Sequence, residues 1–571
     1  MSTLFSSTQY PAELEQYVST GAVQSRDLRG VSILVHAAAD SSDSSEIDPL
    51  AWLAFALVLG LPASGHTCVD LENISQWAPE ELKSNGESWP IDGKRWKAAV
   101  LACPELVCTP KTLNVQPRKP FVVSGNKLYS ARSFHEEQLV ASYIKKAVAD
   151  KRVEIITGGP GSGKTTYIAN QIVEQIAKNA NTESIALCAP TGLAAKRMDR
   201  ALRSAVRFGI GKGTISPDME THVNGLKKLT IHKLLKFNPS SRIQWRHNKA
   251  NRMPYDYVIV DEVSMMPLSM MARLIEALKD DARLMLVGDP FQLASVDAGT
   301  VLADIVEASN KGKTFVNTKT ESHRFPLGSP VSDIAIETKS GNVEGALQKI
   351  RLHHDTKDKS SFVWVDPVAD EARLQKIARE VVNHARMLCE LAASASTDEQ
   401  YQEIIRVRDE LQVICAHRKG NLGVSGWNRA VERELGVLAQ EQWYLGRPVM
   451  VSKNDANTGL ANGDIGVVCK DAKGARIVVF GDAEEVKTFS TTSLPQVDTV
   501  HALTIHKSQG SEFAHTIVVL PKGKSKIRTR ELLYTGITRA KPNLTLVATQ
   551  EALEIAIGNK VQRATGLTDL L

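Results

Sequence analysis

From residue 150 onward, short apolar runs that end in a small or acidic residue alternate with stretches of helical periodicity. The first set of runs is VEIITG, IALCAP, YVIVDE and ARLMLVGD, and a second set is QVICAH, HTIVVL and LTLVAT. Apolar runs separated by helices are typical of parallel sheets that carry functional groups at the carboxyl ends of their strands. The pattern predicts two doubly wound α/β units.

Two segments depart from this alternation. Residues 442–496 contain RPVMVSKND, NGDIGVVC, ARIVVF and EVKTFS, which are short β-prone runs joined by Gly, Asn and Asp turns. They predict a small antiparallel barrel inserted into the second unit. Within the first unit, RIQWRHNKANRM predicts a short basic hairpin at about residues 237–254.

The first 115 residues indicate helices and loops, and they contain four of the eight tryptophans, namely Trp52, Trp77, Trp89 and Trp96. We expect these rings to form the core of a small helical domain, with a partner-docking surface as the alternative. The longest apolar run, LAWLAFALVLGLPA, is shorter than the ~20 residues that span a bilayer, so we expect a buried helix. A Gly-Asn turn between FVVS and KLYS predicts a β-hairpin directly after this domain.

These patterns divide the chain into four parts, since 571 residues exceed what one hydrophobic core supports. We predict an N-terminal partner-docking domain at 1–115 and a first α/β domain at 116–310. The second α/β domain is predicted at 311–441 and 497–571, with the insertion at 442–496.

Composition and charge narrow the function classes only slightly. The net charge of +5 is compatible with a polyanionic partner, but any nucleic-acid site must be a local cleft. Seven cysteines without a CxxC pair indicate reduced thiols rather than a zinc site. Because the first residues lack a basic and an apolar signal region, we expect a cytoplasmic protein without a membrane partner.

The segment GGPGSGKT follows the strand pattern VEIIT and opens a helix, which is the arrangement of a phosphate-binding loop. Backbone amides wrap the phosphates, Lys164 reaches the β- and γ-phosphates, and the Thr165 hydroxyl is available to Mg²⁺. The predicted ATP-binding residues are Gly158, Gly159, Pro160, Gly161, Ser162, Gly163, Lys164, Thr165 and Thr166.

The acidic pair Asp261–Glu262 ends the apolar run YVIV. Asp261 can hold Mg²⁺ through water, and Glu262 can orient the attacking water. An alternative is that the pair only caps the next helix, but its spacing from the phosphate loop favours Mg²⁺-dependent hydrolysis of a nucleoside triphosphate. Arg324 in ESHRFP and Arg539 in YTGITRAK are candidate cations for the transferred phosphoryl group.

Seven segments, in order, resemble the motif series of superfamily 1 DNA helicases, and in detail that of the RecD subunits of exodeoxyribonuclease V, the RecBCD enzymes. They are APTGLAAKRM, LTIHKLL, VDEVSMM, VGDPFQLASVDAG, SHRF, LTIHKSQGSEF and LLYTGITRAK. The resemblance implies two RecA-like domains that clamp ATP between them and an SH3-like insertion. It further implies that Gln292 senses the γ-phosphate, that Arg324 and Arg539 reach it from the second domain, and that Glu512 contacts the nucleotide sugar.

The pentapeptide LTIHK occurs twice, at Leu229–Lys233 and at Leu503–Lys507. Single-stranded DNA is held along a groove by hydroxyls, backbone amides and basic groups that make few base-specific contacts. We therefore predict that both copies place a Thr hydroxyl and a helix start against one strand. The predicted DNA-binding residues are Pro190, Thr191, Gly192, Thr230, His232, Thr504 and His506.

The resemblance implies an ATP-dependent 5′→3′ DNA helicase subunit that unwinds DNA ends in double-strand-break repair by homologous recombination. Its partners would be DNA and the RecB-like and RecC-like subunits of a heterotrimer. Because no nuclease carboxylate cluster is visible, we expect a motor without a nuclease site. A stand-alone RecD-like helicase is the alternative, and a non-motor ATP-switch scaffold is disfavoured by the complete set of hydrolysis residues. The basic hairpin is equally compatible with a strand-separating pin, as in relatives, and with a plain surface hairpin.

Overall fold

The computed structural model contains four β-sheets and the helices that cover them. It describes residues 10–38, 47–78, 89–115, 118–178, 182–238, 245–312, 315–319, 326, 328–355, 361–438, 441–455, 457–482, 485–523, 525 and 527–571. Short 3₁₀ turns lie at Ala12–Leu14, Leu61–Ser64, Ile74–Trp77, Thr182–Ser184, Val263–Met265 and Thr491–Ser493. Across this described part of the chain, every helix is too short or too polar to cross a membrane.

The N-terminal region is helical, as predicted, but it also contains a small sheet. Its helices are α1 Glu15–Ser19, α2 Ser25–Ala38, α3 Pro49–Gly60 and α4 Gly93–Leu101. Its strands, in the sheet order β1-β4-β3-β2, are β1 Cys68–Asp70, β2 Val107–Cys108, β3 Phe121–Ser124 and β4 Lys127–Ser130. The predicted hairpin is confirmed as β3–β4, while β1 and β2 are too short to show a period of two. Because β3 and β4 pair with strands from this region, it continues past residue 115.

The core of the N-terminal region forms around α3, whose residues Leu50–Val58 are all buried. The predicted buried helix is therefore confirmed. Trp52, Trp89 and Trp96 are buried in the same core, and the indole N–H groups of Trp89 and Trp96 donate to backbone carbonyls. These three rings stabilise the domain from inside and are not available as a docking surface.

The first α/β unit is a six-stranded, all-parallel sheet in the order β10-β5-β9-β8-β6-β7. Its strands are β5 Val153–Gly158, β6 Ile185–Ala189, β7 Lys227–Thr230, β8 Tyr257–Val260, β9 Arg283–Gly288 and β10 Val316–Lys319. Its helices are α5 Ala131–Ala149, α6 Lys164–Ala177, α7 Gly192–Gly211, α8 Met219–Gly225, α9 Ile231–Leu234, α10 Leu268–Ala277 and α11 Val301–Asn310. The four predicted strands are confirmed. The sheet extends beyond residue 310, where the sequence places the end of the first domain, because the polar strand β10 pairs with β5.

The second α/β unit has a five-stranded, all-parallel sheet in the order β11-β20-β19-β12-β18. Before the insertion lie β11 Phe362–Val365, β12 Leu411–Cys415, α12 Pro330–Ser340, α13 Val343–Asp355, α14 Glu371–Ser394, α15 Asp398–Arg408 and α16 Val424–Glu434. The inserted sheet consists of β13 Pro448–Val451, β14 Ile465–Lys470, β15 Arg476–Gly481, β16 Val486–Ser490 and β17 Val497–Thr499. After it lie β18 Ala502–Thr504, β19 Phe513–Val519, β20 Ala540–Val547, α17 Arg530–Ile537, α18 Gln550–Gly558 and α19 Leu567–Leu570.

The inserted sheet has the order β16-β15-β14-β13-β17, and all of its pairs are antiparallel. An inserted antiparallel unit is thus confirmed, and its closure into a barrel stays a prediction. Gly192, at the start of α7, packs so closely against the insertion that an added Cβ would lie 2.6 Å from the Cβ of Ala461. The ion pairs Lys196–Asp464 (2.6 Å) and Arg200–Asp482 (2.9 Å) hold the insertion against the same helix.

Residues 560–571, called here the C-terminal strap, return from the second unit to the first unit and the N-terminal region. Leu567 and Leu571 are buried in the core of the first unit. The Gly566 N–H donates to the fully buried carboxylate of Glu137 at 3.1 Å, and the Thr67 hydroxyl donates to the same carboxylate at 2.5 Å. The strap therefore joins all three parts of the chain.

Candidate functional site

The predicted phosphate loop lies between β5 and α6, at the carboxyl end of its strand. Gly161 and Gly163 have φ values of 76° and 77°, a conformation that glycine adopts without strain. The Lys164 ammonium donates to the carbonyl oxygens of Gly158 at 2.5 Å and Gly159 at 2.7 Å. The nine predicted ATP-binding residues therefore lie in one loop and one helix start, with Lys164 held over the loop by contacts that a phosphate group can replace.

Asp261 and Glu262 follow β8, which β9 separates from β5 in the sheet. The Asp261 N–H donates to the Cys188 carbonyl at 2.9 Å, and one Asp261 carboxylate oxygen accepts from the Glu262 N–H at 2.8 Å. Glu262 has a φ of 55°, which is uncommon for a residue with a side chain and is found mainly where the surrounding structure enforces it. Burial and the neighbouring Glu262 carboxylate raise the pKa of Asp261, and the Lys164 ammonium opposes this shift across the site.

The oxygen donors at this edge fit Mg²⁺. The Asp261 carboxylate and the Thr165 hydroxyl are hard ligands, and Mg²⁺ in nucleotide sites takes one or two protein oxygens together with phosphate oxygens and water. Among the described residues, no group of three or more His, Cys, Asp or Glu side chains forms a self-sufficient metal cage. The donor set thus suits a cation that arrives with a nucleotide.

Gln292 and Arg539 lie on opposite units and are joined directly. The Arg539 guanidinium donates to the Gln292 side-chain oxygen at 3.0 Å, and both residues are buried. Arg539 also donates to the carbonyl oxygens of Thr535 at 3.1 Å and Ser511 at 3.3 Å. One hydrogen bond of Arg539 thus crosses between the units and two anchor it within the second unit, while Arg324, its predicted companion, lies outside the described residues.

Three further hydrogen bonds cross the same boundary. The Tyr534 hydroxyl donates to Asp289 at 3.0 Å, and the same carboxylate accepts from Gln292 at 3.2 Å. The Leu293 N–H donates to the Thr535 hydroxyl at 2.9 Å, and the Gln509 side chain donates to the Leu293 carbonyl at 3.0 Å.

The Tyr534 hydroxyl also adjoins the phosphate loop, because a Cβ on Gly159 would lie 3.1 Å from it. Asp289, Tyr534, Thr535 and Gln509 stand inside the motif segments, but their residue types alone did not indicate contacts between the units. The three-dimensional structure was needed to find them.

Glu512 lies in a cleft of about 440 Å³ bounded by α7, the insertion and the second unit. Arg197 of the first unit lines the same cleft, and its charge interacts with that of Glu512. Burial lowers the pKa of Arg197, and the Glu512 carboxylate partly offsets this effect. The contact of Glu512 with a nucleotide sugar stays a prediction.

The two LTIHK copies occupy equivalent positions in the two α/β sheets. An edge strand ends at the Thr residue of each copy. Among the described strands, β7 pairs only with β6, and β18 pairs only with β12. Each Thr hydroxyl accepts from the N–H three residues later, at 3.3 Å for Thr230 to Lys233 and 3.2 Å for Thr504 to Lys507. The repeat therefore marks one structural position used twice.

The two copies differ in the segment directly after the strand. Thr230 caps the short helix α9, whereas Thr504 is succeeded by turns, so the helix start predicted for the second copy is wrong. Thr504 is buried, while His232 and His506 are exposed. Partial desolvation lowers the pKa of both imidazoles, which disfavours their cationic form.

The segment Pro190–Gly192 lies at the end of β6, beside the end of β7. Thr191 caps α7 and accepts from the Ala194 N–H at 3.2 Å. All three predicted DNA-contacting segments thus lie at strand ends with a Thr hydroxyl that accepts a backbone N–H and can still donate its own proton. DNA binding by these residues stays a prediction.

Three known sequence families match parts of the chain. They are the N-terminal domain of RecBCD enzyme subunit RecD at residues 31–129, an AAA domain at 142–298 and a UvrD-like helicase C-terminal domain at 499–547. RecBCD enzyme subunit RecD of Mycolicibacterium smegmatis is 36% identical over 92% of this chain and 94% of its own length.

Two other similarities are more distant. The ATP-dependent RecD2 DNA helicase of Deinococcus radiodurans is 30% identical over 77% of this chain and 52% of its own length. A crystal structure of a Bacteroides Pif1 helicase with ADP-AlF3 and single-stranded DNA has 17% identity and a TM-score of 0.39 over 72% of this chain and 92% of that one.

Proposed function

The chain belongs to the RecD family of RecBCD enzyme subunits, and on that premise we propose that it is an ATP-dependent DNA helicase. The observation that carries the proposal is the Gln292–Arg539 contact, which joins the unit that holds the phosphate loop to the second α/β unit. A nucleotide bound beside this contact changes the relative position of the two α/β units, each of which carries one LTIHK copy.

Hydrolysis is assigned to residues at the carboxyl edge of the first sheet. Lys164 exchanges its contacts with the carbonyls of Gly158 and Gly159 for phosphate oxygens, and Glu262 orients the attacking water. Thr165 and Asp261 would hold Mg²⁺, which supplies charge neutralisation on the phosphate oxygens. Arg539, released from Gln292, stabilises charge on the transferred phosphoryl group.

Translocation is assigned to the two equivalent strand ends. If the hydroxyls of Thr230 and Thr504 bind phosphates of one DNA strand, a change in the distance between the two sheets moves one phosphate-binding point, or hold, relative to the other. The phosphate contacts carry no sequence information, which suits a motor that acts on any DNA.

The test is ATP hydrolysis and unwinding by the purified full-length chain. We expect DNA to stimulate hydrolysis in the wild type, and Lys164→Gln to reduce the stimulated rate by more than about 100-fold because it removes the cation at the phosphates. The matched control is Lys178→Gln at the other end of the same helix, where the lysine pairs only with Glu174 on the surface. Wild-type turnover in Lys164→Gln contradicts the proposal.

Polarity and partners are inferred from the family. We propose 5′→3′ movement within a heterotrimer with RecB-like and RecC-like subunits, in the bacterial cytoplasm, during double-strand-break repair by recombination. Unwinding of duplexes with a single 5′ or 3′ tail tests the polarity. Preferential unwinding of the 3′-tailed substrate argues against 5′→3′ movement. Native mass spectrometry of the complex from the source cell tests the partners.

A stand-alone helicase is the second candidate, because the similarity to the RecD2 helicase covers 77% of this chain. Recovery of the endogenous chain without large helicase–nuclease subunits favours this candidate. The two candidates share the ATP and DNA sites and differ only in assembly.

A further inference from the structure

A cavity of about 720 Å³ opens beside the first LTIHK copy. None of its lining residues is assigned above to ATP binding or hydrolysis. Its aromatic walls are Phe237 and Trp245, and its polar lining includes Lys236, Arg246 and, from α10, Arg273 and Glu276. Phe237 and Trp245 form an isolated antiparallel bridge at the base of the basic hairpin. The segment between them, residues 239–244, lies outside the described residues.

Three rings meet at this cavity. Phe237 and Trp245 have centroids 4.6 Å apart with planes tilted by 50°, and His232 lies 5.4 Å from Trp245 at 43°. Phe237 and Trp245 are only half-buried, so part of each ring faces the cavity. We call His232, Phe237 and Trp245 the aromatic platform.

The backbone is shaped to build this platform. Lys236, directly after α9, has a φ of 50°, and the following Phe237 N–H donates to the His232 carbonyl at 3.0 Å. This turn brings the Phe237 ring back against the His232 ring, with centroids 5.8 Å apart. A non-glycine residue seldom adopts this left-handed conformation, so the neighbouring contacts enforce the turn.

The charge around the platform is positive. Arg273 pairs with Glu276 at 2.5 Å, which neutralises the only carboxylate of the lining. Among the described residues, Lys236 and Arg246 have no ion-pair partner. Exposed aromatic faces next to uncompensated cations are the combination by which proteins hold unpaired nucleotides, with bases stacked on rings and phosphates near the cations.

The platform continues the proposed DNA track. His232 lies two residues after Thr230, in the short helix that Thr230 caps, so the platform begins within one helical turn of the proposed hold at Thr230. Partial desolvation lowers the pKa of the His232 imidazole, which favours its neutral form and suits stacking rather than ion pairing.

We propose that the aromatic platform and its two cations form a binding site for an unpaired base of the DNA strand, next to the phosphate hold at Thr230. This inference rests on the proposed function and adds a base contact to it. The competing explanation is that the rings only anchor the hairpin. A stacking site discriminates between a base and its absence, and a structural cluster does not.

The experiment is an abasic scan with the full-length chain. Oligothymidine of about 20 nucleotides, a length that spans at least one such site, carries a single abasic position moved along the strand. Affinity for each oligonucleotide is measured by fluorescence anisotropy with the wild type, Trp245→Ala and Trp245→Phe. The matched control is Phe208→Ala, an exposed ring next to Lys212 on α7, outside the proposed track.

In the wild type we expect one or two adjacent abasic positions to weaken binding by about 5- to 100-fold, the range for a single base stacked on an aromatic ring. In Trp245→Ala this positional penalty disappears, in Trp245→Phe most of it remains, and in Phe208→Ala it is unchanged. A penalty of equal size in the wild type and in Trp245→Ala overturns the inference, as does a flat wild-type profile. A wild type that binds no DNA at all overturns the proposed function instead, so the two failures are distinguishable.

Discussion

At the scale of single residues, the carboxylates at the edge of the first sheet are held in an unfavourable electrostatic setting. Asp261 is partly buried beside Glu262, and the hydrogen bond from the Glu262 N–H and the Lys164 ammonium oppose the resulting rise in the Asp261 pKa only in part. Such strain is common at sites where a bound cation later compensates the charge. Asp261 therefore lowers the stability of the nucleotide-free protein. Binding of a nucleotide with its metal ion offsets this loss.

Replacement of Asp261 tests this cost. A carboxyl whose pKa is raised by folding stays protonated in the folded chain at pH values where the unfolded chain has already lost the proton, so stability falls as the pH rises. We expect Asp261→Asn, measured with a chelator present, to raise the unfolding temperature by a few degrees at pH 8 and by less at pH 5.

The exposed Asp280, whose side chain is 98% accessible, supplies the control Asp280→Asn, which should change little at either pH. A gain for Asp261→Asn that is equal at both pH values would contradict the electrostatic origin. Mg²⁺ with a nucleotide should stabilise the wild type more than Asp261→Asn, since the variant lacks the carboxylate ligand.

Sequence patterns predicted the phosphate loop and the strands around it because each of these patterns is local. A phosphate loop is one loop between one strand and one helix, and Gly161 and Gly163 are required there by their positive φ. The Tyr534–Asp289 contact, by contrast, joins residues 245 positions apart, and no period or spacing encodes it. Contacts between units depend on how two finished sheets pack, which the sequence of neither one specifies alone.

At the scale of elements, the edge strands explain the repeat. The strands β7 and β18 each have one neighbour, and both end in the Thr of LTIHK. The strand β7 was not predicted because its sequence, KKLT, lacks a continuous apolar run. A strand at a sheet edge has one exposed side and can therefore contain polar residues. The repeated pentapeptide marked this position, although it was interpreted as a Thr hydroxyl and a helix start rather than as the end of a strand.

Loss of either Thr hydroxyl should weaken the DNA hold. We expect Thr230→Ala and Thr504→Ala to reduce single-stranded DNA affinity and coupled translocation more than DNA-independent ATP hydrolysis. The matched controls Thr230→Ser and Thr504→Ser keep the hydroxyl that accepts from the N–H of Lys233 or Lys507, and they should retain most of the affinity. Unchanged translocation in both Ala variants would leave the two-hold mechanism without support.

The helix α17 carries the second unit's side of the contact between the units. In Tyr534→Phe the buried Asp289 loses its hydrogen bond from the other unit, while the ring is retained. We expect DNA-stimulated kcat to fall several-fold with little change in the KM for ATP, because coupling rather than nucleotide affinity is lost. Tyr401→Phe, which removes a hydrogen bond of 2.9 Å to the Lys470 carbonyl within the second unit and its insertion, is the control. An equal fall in both variants would indicate general destabilisation.

At the scale of the whole molecule, the C-terminal strap ties the parts together. Arg563 donates to the carbonyl oxygens of Ser295 at 2.6 Å and of Asp297 and Gly299 at 3.2 Å, and Lys127 pairs with Asp569 at 2.5 Å. The sequence assigned these residues to the second domain by continuity. Their packing on the first unit shows that chain order and spatial order differ here.

A single methyl group should loosen the strap. A Cβ on Gly566 would lie 1.8 Å from the Tyr129 hydroxyl and 2.9 Å from the Glu137 carboxylate, so Gly566→Ala must displace the strap or the N-terminal region. We expect the unfolding temperature to fall by several degrees, and limited proteolysis to cut between the N-terminal region and the first unit. Gly211→Ala, where an added Cβ meets nothing within 4 Å, is the control and should be neutral or slightly stabilising.

The strap also has a consequence for how the protein is made. The first α/β unit and the N-terminal region are synthesised before the second unit, yet Leu567 and Leu571, which lie in the core of the first unit, are synthesised after the second unit. The buried carboxylate of Glu137 can accept from the N–H of Gly566 only after Gly566, which is 429 residues later in the chain, has been synthesised. A nascent or truncated product that lacks residues 566–571 therefore carries an unfinished core and a buried carboxyl group without one of its hydrogen bonds.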